Sequence, residues 1–132
     1  MDMQVYFPGG KKVYADYNGM TIETDQPVPA GEGSAPTPFD LFIASIGTCA
    51  GIFALGFTQQ RGIDPRDARI LLSTHADPEN PGHIAQIDLT LQTPPDFPEK
   101  YRAAIIKTMD LCKVKQHLAN PPEFTVDVII PE

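Results

Sequence analysis

Two cysteines, Cys49 and Cys112, are the residues of this 132-residue chain best suited to covalent chemistry. A thiolate is a nucleophile and a reductant, and two thiols that meet can exchange electrons as a disulfide. They stand 63 positions apart, so only folding can bring them together. No Cys-x-x-Cys redox motif occurs. His75, His83 and His117 have no ligand-like spacing to one another or to the cysteines, so no metal site is expected. Gly31-Glu32-Gly33 precedes a helix, but lacks the strand and the further glycine of a phosphate-binding loop.

The plain reading of Cys49 is a small buried core residue. Its neighbours Gly47, Thr48, Ala50 and Gly51 point further, because small residues let another backbone or a substrate approach the sulfur. Burial opposes thiolate formation. Cys49 is about three turns into its own helix, too far for that helix's dipole to help. A cation from elsewhere is therefore expected, with Lys11, Lys12 and Arg61 as candidates and solvated surface charges as the plain alternative.

The elements that must position these residues can be traced along the chain. Gln4–Phe7, Lys12–Asp16 and Met20–Asp25 read as three strands. Asn18-Gly19 is a type I′ hairpin signal, since both central residues need positive φ. The stretch from Gln26 to Thr37, broken by Pro27, Pro29, Gly31, Gly33 and Pro36, reads as a wrapping or site-lining loop. Pro38 to Gln60 predicts a helix, with Pro38 and Asp40 in its first turn and Gly62 past its end. Ala68–Ala76 and Ile84–Thr93 predict two more strands. Asp96 is a candidate N-cap for a second helix that runs to about Leu118, with Tyr101, Ile105, Thr108 and Cys112 on one face. Phe124, Val126, Val128 and Ile130 alternate as a final strand. The expected order is βββ-α-ββ-α-β, an α+β fold in one domain over residues 1–132. Two long central helices packed together could bring the sulfurs within disulfide reach.

Leu41 to Phe57 contains no charged residue and is apolar on every face of the helix. A membrane span is the competing reading, at the lower limit of length for crossing a bilayer. The small polar residues in the segment, its weakly basic flanks and the strand-like segments on both sides argue against it. A helix so apolar needs more cover than one chain of this size provides, which predicts a dimer.

Composition narrows the remaining classes. The hydrophobic share is 42% and the charged share 20%, as in ordinary globular domains. Ten basic against 17 acidic residues, a net charge of −7, make nucleic acid or an anionic membrane poor partners. Two cysteines are too few for a disulfide scaffold. Met1 leads into a polar, strand-like stretch, so a chain without a secretory signal, in a reducing cytoplasm, is expected.

The run Ala35-Pro36-Thr37-Pro38-Phe39-Asp40-Leu41-Phe42-Ile43-Ala44-Ser45-Ile46-Gly47-Thr48-Cys49-Ala50 resembles the central-helix motif of the osmotically inducible protein C family, which includes the organic hydroperoxide resistance proteins. Leu111-Cys112-Lys113-Val114 resembles that family's second cysteine motif. The resemblance implies an intertwined homodimer that reduces organic hydroperoxides without a cofactor. Carried over, Cys49 is the peroxidatic and Cys112 the resolving cysteine, with an external dithiol or lipoylated protein as reductant. The hydroperoxide-resistance branch pairs a glutamate, ten residues before the first cysteine, with an N-terminal arginine. Here Phe39 holds that position, Asp40 follows it, and no arginine precedes Arg61. Lys11, Lys12 and Asp40 are therefore the expected polar partners of the thiolate. Lys113 stands where the family commonly has proline.

Two functions follow as expectations. One is a two-cysteine thiol peroxidase of oxidative-stress defence. The other is a non-catalytic small-molecule binding or redox-sensing protein of the same fold. Reactive thiols favour the first; inert thiols with a co-purifying ligand favour the second.

Overall fold

A computed structural model describes all 132 residues, and the chain divides into two compact units, Met1–Ser45 and Ile46–Glu132. In the first unit, β1 (Gln4–Gly9), β2 (Lys12–Tyr17) and β3 (Met20–Thr24) form an antiparallel sheet in the order β1-β2-β3. The β2–β3 turn is set as its residues require, with Asn18 at φ 49° and Gly19 at φ 75°.

The loop after β3 is ordered around one carboxylate. Asp25, only 1% exposed, accepts hydrogen bonds from Gln26 N at 2.7 Å, Ser34 N at 3.1 Å and Ser34 Oγ at 2.6 Å. These donors favour the charged form and hold its pKa down to about 2. Gly31 is required there, because a Cβ would overlap the Gln26 carbonyl oxygen and Asp25 Oδ1. At the end of the loop, Thr37 caps α1 (Pro38–Gln60) reciprocally. Thr37 N donates to Asp40 Oδ2 at 3.0 Å, and Asp40 N donates to Thr37 Oγ1 at 3.1 Å.

The second unit begins within α1. Antiparallel strands β4 (Arg69–Asp77) and β5 (Asn80–Gln92) pair with Leu72 opposite Leu89. Ala50, Ala54 and Phe57 of α1 pack with Ile105 and Met109 into the core, flanked by Ile70, Leu89, Leu91, Phe97 and Tyr101. A Cβ on Gly47 or Gly51 would lie 3.4 Å from the Leu72 side chain and 3.6 Å from that of Ile70, ordinary packing distances, so this part of α1 lies against β4. Past α1, Gly62 takes φ +66°, as its place beyond the helix end requires.

Three differences from the sequence expectation have physical causes. First, α1 is not buried all round within one chain. Its buried residues, Ile46, Ala50, Ala54, Phe57 and Thr58, form one stripe, while Ile52 is 61% exposed. Second, the helix expected from Asp96 to Leu118 is broken. A 3-10 turn at Glu99–Tyr101 follows Pro98, which stands at the N-cap without a side-chain bond, so Asp96 does not cap it. Then come α2 (Arg102–Met109) and α3 (Lys113–Ala119). Cys112 turns extended, at ψ 122°, and becomes the N-cap of α3. Asp110 bonds Lys115 Nζ at 2.6 Å and the Leu111 carbonyl accepts from Gln116 Nε2 at 3.1 Å, which satisfies polar groups at the break. Third, residues 121–132 have no strand partner in one chain, and Val126 is 96% exposed.

Candidate active site at the two cysteines

Cys49 lies on α1 one turn beyond buried Ile46, and Cys112 sits at the α2–α3 break. Cys112 is fully buried and Cys49 half-buried, and both are free thiols. The Cys112 sulfur accepts from Lys115 N at 3.5 Å, as an N-cap side chain does. The two thiols are neighbours and perturb each other's titration in opposite directions.

The Cys49 thiol is shifted below its ordinary range. The backbone N–H of Val114 contributes most, then the Cys112 thiol, then the N–H and the charge of Lys113, against the opposing effect of burial. Cys112 is pushed up, chiefly by burial and then by Cys49, whose sulfur accepts the Cys112 S–H hydrogen bond and whose charge opposes a second thiolate. Of the pair, the less buried Cys49 is thus the more easily ionised thiol and the buried Cys112 the less easily ionised one. That division suits a nucleophile beside a resolving thiol.

The expectation that the dipole of Cys49's own helix could not assist it stands beside an unforeseen second source of amides. Its own N-terminus is remote, but the chain break at Cys112 creates another, and the first turn of α3 supplies amides to the sulfur. Sequence reasoning missed Lys113 and Val114 because the break has neither glycine nor proline to announce it. The only clue was their place directly after the second cysteine.

Of the other expected site residues, Lys12, Asp40 and Arg61 have local partners. Lys12 pairs with Glu32 at 2.9 Å, and Asp40 serves the N-cap of α1. Lys11 carries no ion pair and sits beside the Gly9-Gly10 turn. Arg61 lies 3.5 Å from the Phe57 ring centroid and donates to the Phe57 carbonyl at 3.2 Å, so it braces the end of α1. No group of three or more His, Cys, Asp or Glu residues is placed to hold a metal ion.

A partly buried cysteine on the long helix α1 thus lies beside a fully buried cysteine at the α2–α3 break. The chain belongs to the OsmC-like protein family, whose model matches residues 31–127. A Psychrobacter arcticus protein described as an osmotic stress induced and detoxification response protein has the same fold. It aligns with TM-score 0.71 and 19% identity, covering 86% of this chain and 85% of that one. An OsmC-like protein from Mycoplasma pneumoniae aligns with TM-score 0.69 and 12% identity over 91% of this chain and 87% of its own. The organic hydroperoxide resistance protein OhrB of Bacillus subtilis aligns with TM-score 0.56 and 19% identity over 91% and 93%. No curated protein matches the sequence.

Proposed function

We propose that this protein is a dimeric, two-cysteine peroxidase that reduces organic hydroperoxides in a reducing cytoplasm. The observation that carries the reading is a pair of neighbouring free thiols, Cys112 fully buried and Cys49 only partly so, with Cys49 drawn below its ordinary range and Cys112 pushed above it. The Cys49 thiolate attacks the terminal oxygen of ROOH. The O–O bond breaks, Cys49 becomes a sulfenic acid, and the alkoxide takes a proton to leave as ROH. The Cys112 thiol then attacks the sulfenic sulfur, a disulfide forms and water leaves. An external dithiol, free or lipoyl, restores both thiols by exchange and is itself oxidised to a disulfide.

The dimer reading has its own support. Ile52 on α1, and Val126 and Ile130 in the C-terminal segment, are 61%, 96% and 86% exposed in one chain. α1 is also long and apolar enough to cross a membrane, with 28% of its most apolar window buried. A second copy covers these surfaces in the proposed assembly.

The test is dithiol-dependent consumption of tert-butyl hydroperoxide. Cys49→Ser abolishes it. Cys112→Ser stalls after one turnover, with a Cys49 sulfenic acid that dimedone traps. The oxidised wild type loses the mass of two hydrogens without crosslinking between chains. Wild-type rates in both variants would overturn the proposal.

A further inference from the structure

Cys112 does two jobs with one sulfur. It is the N-cap of α3, at φ −50° and ψ 122°, and its Sγ accepts a hydrogen bond from Lys115 N at 3.5 Å. It is also the fully buried neighbour of Cys49. The first N–H groups of a helix have no partner within it and need acceptors from outside. Here sulfur supplies them: Cys112 takes the Lys115 amide, and Cys49 faces those of Val114 and Lys113. Capping and cross-linking make different demands on these atoms. A free thiol side chain can turn toward an amide, whereas a disulfide dictates the torsions of both side chains. A thiolate is a strong acceptor, and a disulfide carries no charge.

α3 has little else to hold it. It is seven residues long, below the length at which a helix sustains itself in water. None of its residues is buried, and Leu118 is 51% exposed. α2, by contrast, sends Ile105 and Met109 into the core. Two side-chain bonds cross the break, from Lys115 Nζ to Asp110 at 2.6 Å and from Gln116 Nε2 to the Leu111 carbonyl at 3.1 Å. Both are exposed, and exposed pairs of this kind contribute little. Past its end, Pro121 and Pro122 prevent any continuation of the helix. The cap on Cys112 is the tie that joins α3 to a fully buried side chain.

We propose that the redox state of the thiol pair sets the order of α3: capped and helical while both thiols are reduced, frayed at its first turn once Cys49 and Cys112 are joined. The inference rests on the reading of the two cysteines as a disulfide-forming pair. In that step the S–O bond of the Cys49 sulfenic acid breaks and the S–S bond forms. The Cys112 proton leaves with the hydroxyl as water. The first turn of α3 then loses its sulfur acceptors. Fraying uncovers the Cys112 side of the bond, so an external dithiol reaches either sulfur. Exchange oxidises that dithiol to a disulfide and returns both thiols, and with them the cap. The fold thus opens toward its reductant when oxidised and closes around Cys112 when reduced.

The experiment is amide hydrogen exchange of the whole chain, read by mass spectrometry over residues 113–119 before and after oxidation by diamide. Diamide takes two hydrogens from the thiol pair and needs no peroxide. Loss of that mass without crosslinking between chains certifies the disulfide. In the oxidised protein α3 exchanges about fivefold faster, as loss of a cap requires, while residues 105–109 of α2 keep their rate. Dithiothreitol restores the slow rate. Reduced Cys112→Val exchanges α3 as fast as the oxidised wild type. Cys112→Ser, which keeps a capping oxygen and cannot form the bond, exchanges slowly with or without diamide. An oxidised protein that exchanges α3 at the reduced rate would overturn the proposal. So would an acceleration shared equally by α2, slow exchange in reduced Cys112→Val, or a protein that forms no intramolecular disulfide with diamide. Fraying under diamide in a protein inert toward hydroperoxides refutes the peroxidase alone. An unchanged α3 in an oxidised, active peroxidase refutes the switch alone.

Discussion

Two side chains of ordinary type are shifted toward their charged forms by the hydrogen-bond donors the fold sets around them. For Cys49 the donors are the amides of α3, and for Asp25 they are Gln26 N, Ser34 N and Ser34 Oγ. The consequences have opposite characters. Cys49 gains reactivity: in the wild-type protein at neutral pH, iodoacetamide labels it well before Cys112, as peptide mass mapping would reveal. Equal labelling of both would contradict the division of roles. Asp25 gains a structural hold on its loop. Its folded pKa of about 2 lies below the ordinary value of 3.8, so its contribution is present above pH 3.8 and is lost as pH falls toward 2. Asp25→Asn keeps the shape but loses acceptor capacity. It lowers the melting temperature by several degrees at pH 7 and flattens the acid limb of the stability profile between pH 4 and pH 2. Thermal melts across that range check both statements.

At the scale of elements, the break between α2 and α3 matters most. The periodicity of Tyr101, Ile105, Thr108 and Cys112 identified the buried face correctly, since Ile105 and Cys112 are buried. Periodicity says which side faces the core, not whether the backbone continues, and a cysteine N-cap has no sequence signal. Serine caps better than cysteine, so Cys112→Ser retains α3 while removing resolution. Cys112→Val removes the cap and frays the helix, which amide exchange at Lys115 and Gln116 would detect. The start of α1 was easier to read, because Pro38 and Asp40 occupy standard first-turn positions, while the Thr37 cap emerged only in the structure. Thr37→Ala costs about 1 kcal/mol, measured by chemical denaturation. At both ends of that helix the punctuation in the sequence and the local geometry agree, with Gly62 at φ +66° beyond the last turn.

At the scale of the whole molecule, the C-terminal alternation of Phe124, Val126, Val128 and Ile130 reads as a strand and finds no partner within one chain. An alternating apolar segment predicts pairing but names no neighbour, because strand hydrogen bonds are made with another segment. The proposed dimer supplies that neighbour. Val128→Asp shifts the protein toward monomer or aggregate in sedimentation while leaving the thiols of the first-formed monomer chemically present. A dimer unchanged in mass and stability by that substitution would remove the tail from the interface.

The chain by itself determined the α+β plan, the hairpin at Asn18-Gly19, the limits of α1 and the importance of two cysteines. These follow from local rules of periodicity, capping and turn chemistry, or from motifs contiguous in sequence. Tertiary structure alone decided which amides face Cys49, that Cys112 ends one helical stretch and caps the next, and that Lys12 and Asp40 serve local partners. Each of those is a matter of which groups, distant in sequence or hidden by an unsignalled bend, come within a few ångströms, and charge stabilisation is decided at that range.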